Sequence, residues 1–252
     1  MGRSVKKGKG RGINPAWLLL FCGIAIIAVA GARLWTMFDE DERSRQSYAE
    51  VRVAASPNIK EGETPPSAKN FASLRLINGD VVAWVFIPDT QIDYPIVQGI
   101  DNEEYLHKGF DGQERKAGTL FLDVQASPDF EGLNHPVYGH NMKDGSMFGE
   151  LKLFLKEEFA LAHTEMYLYT PAGDWRLIPF AIYIAPNSGN YHTEPEDQED
   201  AYMRARDWIE KSRVAFDVEV QPEDRFVTLV TCYSDDYDRR VVLHAILVEN
   251  EK

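Results

Sequence analysis

A thiol, an imidazole and a guanidinium are the side chains of this 252-residue chain whose spacing could do covalent chemistry. Cys232 closes the run Phe226-Val227-Thr228-Leu229-Val230-Thr231-Cys232. Its period-two alternation puts Val227 and Leu229 on one face of a strand and Thr228, Val230 and Cys232 on the other. The thiol then falls at the strand end, beside the polar Tyr233-Ser234-Asp235-Asp236, where a substrate can reach it. A lone cysteine can also be a small buried hydrophobe. A working one needs a base, because a free thiol near pKa ~8.5 is only a few per cent thiolate at neutral pH, and an imidazole near ~6.5 is the usual partner.

Six histidines are available. His107, His163 and His192 lie in polar or helix-adjacent stretches, and His244 sits inside the apolar run Val241 to Val248, which suits a packed residue. His135 and His140 bracket one short strand. His140 ends it in Tyr138-Gly139-His140-Asn141, where the glycine allows close backbone approach and the asparagine begins a loop. Sulfur attack on a carbonyl also needs a donor for the developing oxyanion, and a guanidinium is a fixed, permanently charged fork. Arg239 and Arg240 open the last strand. Neighbours on a strand point to opposite faces, so one of the two at most shares the face of Cys232.

These side chains need a framework of strands. From Phe71 onward the chain reads as eight β-type runs separated by turn residues: Val81 to Ile87, Ile92 to Val97, Gly118 to Asp123, Pro136 to His140, Glu165 to Thr170, Trp175 to Ile184, Arg225 to Tyr233 and Arg240 to Val248. Eight such runs predict a closed or nearly closed barrel. Two stretches with apolar residues at three-to-four spacing, Met147 to Glu158 and Gln198 to Ser212, predict helices with core-facing stripes.

Ahead of the strands the sequence changes character twice. Residues 1–15 form a basic tail carrying Arg3, Lys6, Lys7, Lys9 and Arg11. Ala16 to Ala32 holds no charge, and with its flanks, residues 16–38, it is about long enough to cross a ~30 Å hydrocarbon core. Cations before it and Asp39 to Glu42 after it predict a single-pass signal anchor with a cytoplasmic tail and an extracellular body. A cleaved signal peptide ending near Ala28-Val29-Ala30 would export the same body. Residues 39–70 read as a stalk, helical near Glu40 to Val53, and 71–252 as the catalytic domain.

The net charge of -13, with five cations spent in the first twelve residues, leaves no cationic face for nucleic acid. No glycine-rich phosphate loop and no spaced set of metal ligands is present, so no cofactor and no metal are expected; the acidic stretch Glu194 to Asp200 lacks the turn glycine of a calcium loop. Cys22 lies in the apolar run and Cys232 in the body, so no disulfide is expected.

Taken together, the Thr228-Leu229-Val230-Thr231-Cys232 strand, the strand-end His140 and an arginine opening the next strand resemble the sortases. Ile92 to Gln98, Gly118 to Asp123, Tyr138 to Met142, Met147 to Leu151 and the long helix at Gln198 to Ser212 resemble class B in particular. The resemblance covers roughly residue 71 to the end. It implies a mostly β, closed eight-stranded sortase-type barrel with flanking helices behind a transmembrane helix. It also implies Cys232 as nucleophile and His140 as general acid/base. The family's arginine is followed by apolar residues and then a small one, a pattern met from Arg240 through Ala245, which selects Arg240 as oxyanion stabiliser. The implied activity is a cysteine transpeptidase that cleaves a C-terminal sorting signal after threonine and transfers the protein to an amine of a cell-wall precursor. Its partners would be surface proteins, a peptidoglycan-precursor amine and the membrane. The rivals are a pilin-polymerising sortase using a lysine amine and a non-catalytic membrane-tethered binding module. Val230 and Tyr233 depart from the serine and acidic residue common at these places.

Overall fold

The computed structural model describes residues 15–56, 69–233 and 238–250. The basic tail, the proline-rich part of the stalk and most of the polar run after Cys232 lie outside them. Two units are distinguished, one up to Arg43 and one from Ser44 onward.

The body is a closed barrel of eight strands, matching the eight expected runs to within a few residues: β1 (Val81–Phe86), β2 (Asp93–Val97), β3 (Leu120–Leu122), β4 (Asn134–Tyr138), β5 (Met166–Tyr169), β6 (Asp174–Pro186), β7 (Phe226–Cys232) and β8 (Arg239–Glu249). Around the barrel the order is β1-β2-β3-β4-β7-β8-β6-β5, and β5 closes on β1. Two pairings, β2 with β3 and β4 with β7, are parallel; the others are antiparallel. Closure removes the exposed edges that a short-stranded sheet would otherwise present.

Alternation along β7 and β8 sorts side chains into two cores. Val227, Leu229, Val241, Leu243 and Ala245 join Val85, Leu120, Val137 and Leu168 in the barrel interior. Phe226, Val230, Val242 and Ile246 face outward and are covered by the helix α4 (Gln198–Lys211) through Ala201, Ala205 and Trp208. Asp197 caps α4, its carboxylate accepting from Asp200 N at 2.9 Å.

The helix expected at Met147 to Glu158 is not continuous. Met147 takes a left-handed backbone (φ 54°) and bridges to Asn141, so the stretch divides into a 3-10 turn at Leu151–Leu155 and α3 (Glu157–Ala162). The apolar spacing survives because Leu151 and Phe154 are both buried.

The body also begins earlier than the composition of residues 39–70 suggests. The first helix, α1, spans Pro15–Ala55, and within the barrel unit its residues Tyr48, Val51 and Ala55 belong to the core. Tyr48 donates to Gly118 O at 2.5 Å, and Arg52 donates to Asp93 O at 3.0 Å. Lys69 and α2 (Phe71–Ile77) complete this side, Lys69 lying 4.8 Å over the Trp84 ring. A few long side chains at helical spacing are enough to dock a helix that reads as a polar stalk. Within the other unit, Leu19, Leu20, Phe21, Ile24, Ile26, Ile27 and Val29 of α1 are exposed. Among the described residues no helix is long and apolar enough to cross a membrane.

Candidate active site

Strand direction brings the three chemistry-bearing residues to one rim. β4 and β7 are parallel, so both end there; β8 is antiparallel to β7, so it starts there. Cys232, the last residue of β7, is directly opposite Arg240 in the β7–β8 register. Directly opposed residues of an antiparallel pair share a face, so Arg240 stands on the side of Cys232, and Arg239 on the other. Arg239 instead lies 5.0 Å over the Tyr233 ring.

On the other flank the parallel register pairs Tyr138 with Val230, and Gly139 N continues the ladder to Val230 O at 3.1 Å. Two residues further along each chain come His140 and Cys232. The strand β4 ends at Tyr138, not at His140 as expected, so the histidine stands just beyond the ladder. Gly139 is required there: a Cβ would come within 2.3 Å of Leu120 Cδ2 and 2.7 Å of the Phe148 ring, both fully buried.

The connection between β2 and β3 enters the same rim and sets the imidazole. His140 Nε2 lies 2.7 Å from Leu106 O. A carbonyl only accepts, so Nε2 carries the proton and Nδ1 is the basic nitrogen of the neutral ring. Gly118 (φ 58°) leaves room for Leu106 O, since any Cβ there would sit 2.5 Å from it. His107 stacks on His140 with centroids 5.7 Å apart and planes 17° from parallel. Burial holds the His140 pKa below the ordinary imidazole value; the Leu106 bond opposes this, and His107 and Lys116 add to it. Cys232 is a free, partly exposed thiol.

Tyr138 and Tyr191 wall the site. Tyr138 Oη donates to Asp123 at 2.9 Å, a buried carboxylate that also accepts from Asn102 Nδ2 at 3.0 Å and Gln125 N at 2.9 Å. Tyr191 is buried within electrostatic reach of both Arg240 and Cys232, and burial raises its pKa.

Two further histidines, His135 and His244, are packed into the fold. His135 is buried, bonds Phe226 O through Nδ1 at 3.0 Å, and its pKa is pushed down to about 4 by burial. His244 is fully buried beneath Trp208, ring centroids 3.8 Å apart. Thr228, the first residue of the Thr-Leu-Val-Thr-Cys run, joins it to a polar chain. Thr228 Oγ1 donates to Asn134 Oδ1 at 2.6 Å, so it must accept from His244 Nδ1–H at 2.8 Å; Nε2 is then bare and accepts from Tyr183 Oη at 3.0 Å. Asn134 Nδ2 ends the chain on Tyr191 O at 3.0 Å. Sequence reading quoted Thr228 only as part of its motif and missed Asn134 and Tyr191, because Asn134 meets Thr228 across 94 positions and Tyr191 across 57.

A thiol, an imidazole and a guanidinium at one rim suit acyl transfer through sulfur. Residues 85–248 match the family model described as a sortase domain. The chain belongs to the sortase family. Sortases are cysteine transpeptidases, and the curated relatives are of class B. The chain is 35% identical over 204 residues to sortase B of Listeria monocytogenes, covering 79% of this chain and 80% of the relative. It is 30% identical over 230 residues to sortase B of Staphylococcus aureus, covering 89% and 93%. The crystal structure of sortase B from B. anthracis superimposes with a TM-score of 0.74 at 33% identity, covering 83% of this chain and 98% of that one. The closed barrel and its flanking helices are those of this sortase class.

Proposed function

We propose that this sortase joins surface proteins to the cell wall with Cys232 as nucleophile, His140 as general acid/base and Arg240 as oxyanion donor. The observation that carries the residue assignment is the double register at the rim: Cys232 opposite Arg240 across β7–β8, and His140 beside it beyond Tyr138↔Val230.

Cys232 Sγ, as thiolate, attacks the carbonyl carbon of the threonine in a C-terminal sorting signal. The carbonyl electron pair moves to oxygen, where the Arg240 guanidinium balances it. On collapse the C–N bond breaks, the leaving amine takes a proton from His140, and an acyl-thioester remains on Cys232. An amine of a peptidoglycan precursor then gives its proton to His140, attacks the thioester carbon, and releases the thiolate as the new amide forms.

The uncharged run Ala16 to Ala32, the exposed apolar side chains of α1 before Arg43 and the cations ahead of them support a membrane anchor that holds the catalytic body outside the cell. The test incubates the protein with peptides carrying NPxTN, LPxTG and PPxTG motifs, with and without an amine acceptor. Cleavage after threonine with amine-dependent transfer is expected for one motif; cleavage that persists in Cys232→Ala would refute the assignment.

A further inference from the structure

The rim holds two side-chain bonds that continue the β4–β7 ladder after its backbone pairing ends. Thr231 Oγ1 donates to Gly139 O at 2.7 Å, joining the residue before Cys232 to the residue before His140. Asn141 Nδ2 donates to Cys232 O at 2.9 Å and to Tyr233 O at 3.3 Å, joining the residue after His140 to the nucleophile itself. The amide orientation of Asn141 is not ambiguous. Its Oδ1 accepts from Lys152 Nζ at 3.3 Å, and an ammonium has no acceptor to offer an NH2 group. Lys152 lies in the 3-10 turn Leu151–Leu155, so a third element orients the bridge.

We infer that Asn141 is a positioning residue for the Cys232–His140 pair, with Lys152 orienting its amide and Thr231 pinning the opposite side. The inference rests on the assignment of Cys232 and His140 above. The physical need is plain. His140 stands beyond the end of β4 and Cys232 at the end of β7, where no ladder fixes their separation, and a displacement of about 1 Å in such a pair costs on the order of a hundredfold in rate. A bond from one neighbour of the base to the carbonyl of the nucleophile removes that freedom. The backbone bonds of this segment, Gly139 N to Val230 O at 3.1 Å and Phe148 N to His140 O at 3.0 Å, do not reach Cys232.

Apart from Lys152, which is bonded to the Asn141 amide, the charged and titratable groups around the pair come from other elements: His107 and Lys116 from the β2–β3 connection, Arg240 from β8 and Tyr191 from the β6–β7 connection. Loosening the pair therefore has its own signature. The thiol loses the support of His140 and is alkylated more slowly at mildly acidic pH.

The experiment measures the rate of Cys232 carboxamidomethylation against pH in the full chain, with Cys22 followed separately by peptide mass mapping. His140→Ala sets the uncoupled limit. Asn141→Leu, which removes the donor at similar volume, is expected to move the midpoint most of the way to that limit and to lower the rate at pH 6.5 by about tenfold. Asn141→Ala, which also lacks the donor and adds no charge beside the thiol, should do the same. Lys152→Met keeps the amide but removes the charge that orients it, and should give a smaller shift in the same direction; it carries the test if the Asn141 variants do not fold. An unchanged midpoint in Asn141→Leu and Lys152→Met, beside a shifted one in His140→Ala, overturns the positioning role alone. An unchanged midpoint in His140→Ala overturns the pairing of His140 with Cys232 as well, and with it anything for Asn141 to position.

Discussion

Two of the histidines beside strand β7, His244 and His140, have opposite fates. His244, on β8 beneath α4, commits both ring nitrogens, to Thr228 and Tyr183, and is stacked under Trp208 with no exposure. His140, at the rim beside the end of the same strand, has only Nε2 hydrogen-bonded among the described residues, and is half-buried. Burial pushes the pKa of both downward. The difference between the two imidazoles is therefore not the shift; it is whether a ring nitrogen is left without a hydrogen bond among the described residues. The network around His244 spends its hydrogen-bonding capacity on joining β4, β6, β7 and β8. The rim spends just enough to aim the ring.

The contrast can be broken at either end. At the rim, Arg240→Ala should lower kcat/KM by about 10²- to 10³-fold, the usual loss for one oxyanion donor, while Arg239→Ala should change it by only a few-fold. Equal losses would mean that the β7–β8 register does not decide which arginine acts. Under α4, Thr228→Val leaves His244 Nδ1–H and Asn134 Oδ1 without their shared partner at full burial. Unfolding experiments should show a loss of about 1–3 kcal/mol, with the shape of the pH–rate profile unchanged. A displaced profile would place the buried chain in the chemistry. The smallest effect is expected from His107→Gln. His107 and Lys116 both lower the His140 pKa, so removing one of them lets it rise, and the acidic limb of the kcat/KM profile should move to higher pH. A limb that stays put would leave the ring stacking without electrostatic consequence.

Much of the framework was legible in local pattern. The eight strands show period-two alternation or short apolar runs bounded by turn residues, and each expected run overlaps one observed strand. Cys232, His140 and Arg240 could be singled out because strand ends are visible in sequence and because the surrounding motif resembles a known family. What stayed hidden depends on long-range pairing. The parallel β4–β7 contact decides that Thr231 meets Gly139 and that Asn141 reaches Cys232, and nothing near residue 141 announces a partner at 232. The helix at Met147 failed for a different reason. The apolar spacing there is real, yet Met147 takes φ 54° and Gly145 takes φ 88°, so the chain turns before it can coil. The docking of Tyr48, Val51 and Ala55 was masked by the charged residues between them: Glu50, which is exposed, and Arg52, whose charge is paired with Asp93.

The central claim is that one rim of the barrel makes a thioester on Cys232. Intact-protein mass spectrometry after brief mixing with a cleavable sorting peptide, in the absence of acceptor amine, tests it most directly. The account predicts an adduct of the peptide's acyl portion that maps to Cys232, discharges on adding amine, and is lost in Cys232→Ala and in His140→Ala. Peptide cleavage without any Cys232 adduct, or an adduct that forms as fast in His140→Ala as in the parent, would contradict it.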